Sequence, residues 1–99
     1  MKKNTVAHHA CPMEKTAKLM SDTWTILIMH DLMEGSKRFC ELERDLDGIS
    51  TRTLTDKLRK LEEEKMVMKN EDGHYEATEK GHGLKVVEKA MRKYGEKFL

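Results

Sequence analysis

"GISTRTLTDKLRKLEEEKMV", residues Gly48 to Val67, carries two patterns at once. Leu54, Leu58 and Leu61 recur at i, i+4 and i+7, the single apolar stripe of an amphipathic helix for which Ser50 is a good N-cap. The polar positions are graded rather than mixed: Ser50, Thr51, Arg52 and Thr53 come first, and Glu62, Glu63 and Glu64 come last. Hydroxyls and a guanidinium donate hydrogen bonds toward a polyanion, whereas carboxylates are repelled by one. A merely solvated helix has no reason for this gradient, but a helix that enters a nucleic-acid groove by its first turns does.

The elements on either side follow from periodicity and punctuation. Phe39, Leu42 and Leu46 repeat at helical spacing before a turn at Asp47 and Gly48, and "SKRF" ahead of them reads as a short extended segment. Further upstream, "DTWTILIMHDLMEG" runs from Asp22, a suitable cap, to Gly35, a helix stop; Trp24, Leu27, Ile28, Leu32 and the intervening Met residues cover more than one face, which predicts the central buried helix. Pro12 fits the first position of a short helix over Met13 to Met20, with Ala17 and Met20 inward. Residues 1–10 have no periodicity and read as a flexible tail, leaving 11–99 as one domain. Downstream, Met66 to Asn70 and His74 to Ala77 alternate around a Gly-containing turn, the pattern of a β-hairpin. From about residue 78 to 99 a terminal helix is expected. Its Leu84, Val87, Met91, Tyr94 and Phe98 recur at three and four, a heptad-like seam that predicts dimerisation together with the first helix.

Composition removes other classes. Ninety-nine residues, 37% hydrophobic and 37% charged, make one lean helical domain. A net charge of +1 means that any basic surface must come from local segregation of Lys and Arg. No apolar run approaches the roughly 20 residues needed to span a bilayer. Cys11 and Cys40 are read as reduced thiols in a cytoplasmic, nucleoid-associated protein. His8, His9 and Cys11 lack a second Cys/His group to complete a tetrahedral site, so no metal or other cofactor is expected. No Ser/His/Asp set, glycine-rich phosphate loop or paired buried acid marks an enzyme.

Helix, helix, short helix, turn, graded helix, hairpin, terminal helix is the order of a winged helix-turn-helix domain, mainly α with a small β-hairpin and with dimerisation helices at both ends. The stretch from Cys11 to Val67 resembles the HxlR-type family of bacterial and archaeal transcription regulators, within the MarR-like superfamily. The resemblance rests on Cys11–Pro12, Trp24, Gly35, Lys37–Arg38–Phe39, Glu41–Leu42, Gly48–Ile49–Ser50, Leu54–Thr55, Leu58, Leu61–Glu62, and then Thr78, Gly81 and Leu84. It implies a DNA-binding regulator of transcription. Two departures stand out: the turn between the hairpin strands is shorter than usual and lacks proline, and Lys65 stands where the family usually has glycine, which predicts a differently wound junction.

Under that reading Ser50, Thr51, Arg52, Thr53, Asp56 and Lys57 face base edges, with Arg52 placed for a bidentate contact to guanine. Lys37, Arg38, Arg59 and Lys60 are expected on phosphates, and Lys69, Asn70 and His74 on the wing. The expected partner is double-stranded DNA with a pseudo-palindromic operator, bound by a homodimer acting as a repressor. Cys11 at a helix cap has two readings. It is a small buried hydrophobe, or its thiolate is favoured by the helix dipole and Lys15, against Glu14, and it senses oxidants or electrophiles, as the cysteine at this position does in several members of the resembled family. Two rival functions remain: a regulator answering to a small, for example aromatic, effector in a dimer-interface pocket, and a winged-helix protein-interaction module without DNA binding.

Overall fold

The computed structural model describes residues 11–99. The flexible tail expected over residues 1–10, with His8 and His9, lies outside them. The elements are α1 (Pro12–Leu19), α2 (Thr23–Leu32), α3 (Phe39–Asp45), α4 (Thr51–Glu63), β1 (Val67–Lys69), β2 (Tyr75–Ala77), α5 (Glu79–His82) and α6 (Lys85–Phe98). Ser50 caps α4 as its chemistry predicts, its Oγ accepting the Thr53 N–H at 3.0 Å. Leu54, Leu58 and Leu61 are all buried and share one core with Ile28, Met29 and Leu32 of α2 and Leu42 of α3. Trp24 packs partly buried against that core.

Asp22 caps α2, accepting the Thr25 N–H at 2.9 Å and the Thr25 hydroxyl at 3.1 Å. Two inward expectations fail: Ala17 is exposed and α1 has no buried residue, while Leu27 of α2 is 38% exposed. Only Leu19 and Met20 tie the end of the first helix to the core.

β1 and β2 pair antiparallel with Val67 opposite Ala77 and Lys69 opposite Tyr75. The "SKRF" segment adds to this ribbon. Lys37 and Tyr75 exchange both backbone hydrogen bonds, at 2.9 and 2.7 Å, so the hairpin is anchored to the α2–α3 connection. From there the Lys37 Nζ reaches Asp31 of α2 at 2.9 Å and Asp45 of α3 at 3.0 Å, with Glu34 at 3.7 Å. Burial raises the pKa of the Asp31 carboxyl, against the pull of Lys37 and helped by neighbouring Asp45. The two carboxylates in turn hold Lys37 far above the ordinary lysine range.

The junction of α4 with the hairpin is made without glycine. Lys65 itself takes the left-handed conformation, φ +64°. Its N–H donates to the Glu62 carbonyl at 3.0 Å, and the Met66 N–H to the Leu61 carbonyl at 2.9 Å, the paired bonds of a Schellman ending with buried Met66 closing over buried Leu61.

The terminal helix is interrupted. Thr78 caps α5 through Gly81 N–H at 3.1 Å, and the chain tightens at Gly83 and Leu84, where Leu84 N–H bonds back only three residues to Gly81, before α6 begins. α5 fits closely against the junction. The Thr78 Oγ1 donates to the Lys65 carbonyl at 2.6 Å, Thr78 N–H to the Met66 carbonyl at 3.0 Å and the Lys80 Nζ to the Glu64 carbonyl at 2.7 Å. Gly81 is required there, because a Cβ would lie 2.3 Å from the Met66 carbonyl oxygen. The predicted seam is divided by this arrangement. Leu84 is 8% exposed in the chain's own core and Val87 packs against it, whereas Met91 is 47% exposed and Tyr94 and Phe98 are each 61% exposed.

Two outcomes are expected from urea unfolding. Lys65→Gly removes left-handed strain from a side-chain-bearing residue and raises stability by about 1 kcal/mol. Lys37→Met leaves Asp31 and Asp45 facing each other without their cation and lowers stability by about 2 kcal/mol, a deficit that shrinks when Asp31→Asn is added.

Candidate nucleic-acid interface

With the leucine stripe turned inward, helical geometry sorts the remaining positions of α4. Arg52, Asp56, Arg59 and Glu63, spaced i, i+4, i+7 and i+11, lie opposite the stripe and are exposed. Arg52 holds no ion pair among the described residues, and Arg59, with a side chain 65% exposed, approaches Asp56 at 3.7 Å. Thr51 and Thr55 lie on the flank toward α3, where the Thr51 hydroxyl donates to Glu43 and the Thr55 hydroxyl to the Thr51 carbonyl at 2.8 Å. Thr53, Lys57 and Lys60 lie on the opposite flank.

Several residues expected at the interface are committed elsewhere. The Ser50 Oγ donates to Thr53 Oγ1 at 2.9 Å while accepting the Thr53 N–H, so both hydroxyls belong to the cap. Lys57 is half-buried and its Nζ meets Asp22 at 2.7 Å, fastening α4 to the start of α2 instead of facing outward. Burial alone would raise the Asp22 pKa, but the Lys57 ammonium and the Thr25 donors outweigh it and hold the carboxyl below its ordinary 3.8. Lys60 borders a cavity shared with α1 rather than the Arg52 face. Lys37 is enclosed by its carboxylates. Arg38 is exposed at the mouth of α3 and its Nε donates to His74 Nε2 at 3.2 Å, which joins a phosphate candidate to a wing candidate.

The wing is short, as expected, and differs from expectation in chemistry. Asn70 is its scaffold: Oδ1 accepts the Asp72 and His74 N–H groups at 2.9 and 3.0 Å, and Nδ2 donates to Glu76 at 3.0 Å. Lys69 stands over the Tyr75 ring, 5.0 Å from its centroid. The exposed tip carries Glu71 and Asp72, two charges of the same sign as phosphate. Sequence reasoning also missed Asp22 and Glu43 as partners of α4. They lie 35 and 8 residues from Lys57 and Thr51, and no local pattern connects them.

Cys11 occupies the N-cap of α1, half-buried, with no side-chain capping bond, and Cys40 is exposed on α3. Between α2 and α6, His30 Nδ1 meets Glu88, which also accepts from Arg92 at 2.9 Å. Among the described residues no His/Cys/Asp/Glu group has the arrangement of a metal site, and no helix is long and apolar enough to cross a membrane.

The match to known proteins is consistent with this geometry. Residues 19–99 match the model of the HxlR-like helix-turn-helix family. An uncharacterised HTH-type transcriptional regulator of Synechocystis sp. is 33% identical over 99 residues, 92% of this chain and 72% of that protein. The HTH-type transcriptional regulator YodB of Bacillus subtilis is 34% identical over 95 residues, 89% of this chain and 85% of that protein. Its quinone-bound crystal structure superposes with a TM-score of 0.81 at 36% identity, covering 89% of this chain and 99% of that one; its reduced and diamide-treated forms give 0.77 and 0.71. A MarR-family regulator structure from Porphyromonas gingivalis gives 0.84 at 25% identity over 100% of this chain and 98% of that one. These relatives are regulators of transcription, not enzymes, and they share the winged-helix fold. The chain belongs to the HxlR-like helix-turn-helix family of transcriptional regulators.

Proposed function

We propose that the chain is a cytoplasmic, homodimeric repressor that binds double-stranded DNA through the outward face of α4. The observation that carries this reading is the exposed Arg52–Asp56–Arg59 face, held away from the core by three buried leucines. Arg52 reads a base edge, with Asp56 beside it, while Arg59 and Arg38 meet phosphate. The wing contributes Lys69 at its base, and its acidic tip stays clear of the backbone. Met91, Tyr94 and Phe98 supply the apolar face that a second copy covers, and α1 joins them. A two-fold dimer then selects a pseudo-palindromic operator.

Cys11 is the switch in this reading. YodB has been solved both quinone-bound and diamide-treated, which supports an electrophile or oxidant as effector here. Cys11 is half-buried at the start of α1, the helix that joins the dimer in this reading. A small-molecule effector acting without Cys11 is the second reading, and a protein-interaction module without DNA binding is the third.

Selection of duplexes from genomic fragments, followed by binding titrations at several salt concentrations, tests the proposal. Arg52→Ala weakens the selected site by about tenfold or more and relaxes one base position, whereas Arg59→Ala weakens all duplexes alike and lowers the salt slope by about one. Equal loss on every duplex for Arg52→Ala, or no salt-dependent binding by wild type, refutes the assignment. Diamide or a quinone changes wild-type operator affinity, while Cys11→Ser binds normally and does not respond; a full response in Cys11→Ser moves the switch to a ligand site.

A further inference from the structure

The extended segment before α3 and the second strand of the hairpin bring together two side chains that lie 36 residues apart, Arg38 and His74. Lys37 and Tyr75 exchange both backbone hydrogen bonds as an antiparallel bridge, at 2.9 and 2.7 Å. One step along each segment, Arg38 stands opposite His74, in the position of an antiparallel ladder where side chains on one face come closest. The wing side of this pair is well fixed. The His74 N–H donates to Asn70 Oδ1 at 3.0 Å, and the His74 carbonyl accepts the Asn70 N–H at 2.8 Å. The two side chains meet, with Arg38 Nε donating to His74 Nε2 at 3.2 Å.

That contact defines a protonation state. An arginine Nε carries a hydrogen and offers no lone pair, so His74 Nε2 is the acceptor and the neutral ring keeps its hydrogen on Nδ1. A proton taken from solvent at Nε2 removes the acceptor and sets two cations opposite each other, an unfavourable cross-strand pairing. The charges around them compensate only one. From α3, Glu41 accepts the Arg38 N–H at 2.7 Å, and this bond, with the positive charges of Arg38, His74 and Arg44, holds its carboxyl below the ordinary range. On the hairpin, Glu76 is bonded to Asn70, Lys69 stands over Tyr75, and Glu71 and Asp72 occupy the tip. Lys37 is held by Asp31 and Asp45. Arg38 itself is exposed, and the terminal nitrogens of its guanidinium make no hydrogen bond among the described residues. A phosphate set against the pair supplies the missing negative charge.

We propose that Arg38 and His74 form a proton-linked clamp for a DNA phosphate: a proton added at His74 Nε2 turns that nitrogen from the acceptor of Arg38 into a second donor beside it, so duplex affinity rises as pH falls. The inference deepens the DNA-binding reading and rests on it. In the free chain the Arg38 charge opposes protonation of His74. With a phosphate between them, both side chains donate to its oxygens and protonation is favoured. By linkage, acid stabilises the state that takes up the proton more readily, so the gain in affinity is present at low pH and is lost as pH rises. Histidine is the side chain that changes charge between about pH 5 and 8, which sets the window to examine.

Titrations of a duplex selected from genomic fragments, run on the full chain at constant ionic strength at about pH 8 and about pH 6, test the clamp. Wild-type affinity is expected to rise in acid, by up to about tenfold per pH unit for each proton taken up. His74→Gln keeps an acceptor for Arg38 but takes no proton, and the ratio of its affinities at the two pH values falls to about one. His30→Gln and His8→Gln/His9→Gln keep the wild-type ratio, which separates His74 from the other histidines. The Arg38 Nε–H resonance of the free chain is a readout without DNA: it is expected to shift as His74 titrates and to stay in place in His74→Gln. A wild-type affinity that is flat or falls in acid, a full pH response in His74→Gln, or an Arg38 signal indifferent to His74 overturns the clamp and leaves DNA binding standing. No duplex bound at either pH overturns the DNA-binding reading and the clamp with it.

Discussion

The burial of Leu54, Leu58 and Leu61 against α2 is the interaction on which the outer surface of α4 depends. Three leucines taken fully out of water contribute about 6 kcal/mol, whereas an exposed ion pair such as Asp56–Arg59 contributes well under 1 kcal/mol. The apolar stripe therefore decides the rotation of the helix about its axis, and the polar groups take the positions this leaves them. On one flank Thr51 meets Glu43, on the other Lys57 meets Asp22, and only the face opposite the leucines remains free. The proposed DNA-binding face is a remainder, defined by what the core and the two flanks have already used.

That hierarchy explains what was legible in the sequence. Apolar spacing located α2, α4 and the hairpin, because burial energy is large and its period is visible along the chain. The polar assignments fared less evenly. Lys57 and Lys37 had the right charge for phosphate, but each is matched to carboxylates from other elements, Asp22 in one case and Asp31 with Asp45 in the other. A pairing of residues 35 positions apart leaves no periodic trace. Ser50 is legible as a cap, and its hydroxyl donates to Thr53 Oγ1 while it accepts the Thr53 N–H. The seam of the last helix illustrates a different limit. Spacing of three and four marks an apolar face without saying whether the chain's own core or another surface covers it, and here Leu84 and Val87 fall to the first and Met91, Tyr94 and Phe98 are left outside.

The wing and the α4 junction show how a departure from a family pattern can be absorbed. The short turn is organised by one side chain, Asn70, whose amide substitutes for the hydrogen bonds that a longer loop would find in its own backbone. At Lys65 the Schellman bonds and the burial of Met66 and Leu61 hold a side-chain-bearing residue in the left-handed conformation that glycine adopts without strain.

The close seating of α5 has a mechanical corollary. Its N-cap Thr78 holds the carbonyls of Lys65 and Met66 and its Lys80 that of Glu64, three consecutive groups at the end of α4, and Gly81 leaves no gap at the last of them. Only Gly83 and Leu84 separate this clamp from the first turn of α6. A long exposed helix is thus levered on a short pivot that grips the tail of another, and a small tilt at the far end of α6 becomes a displacement at the base of α4 with almost no intervening chain to absorb it.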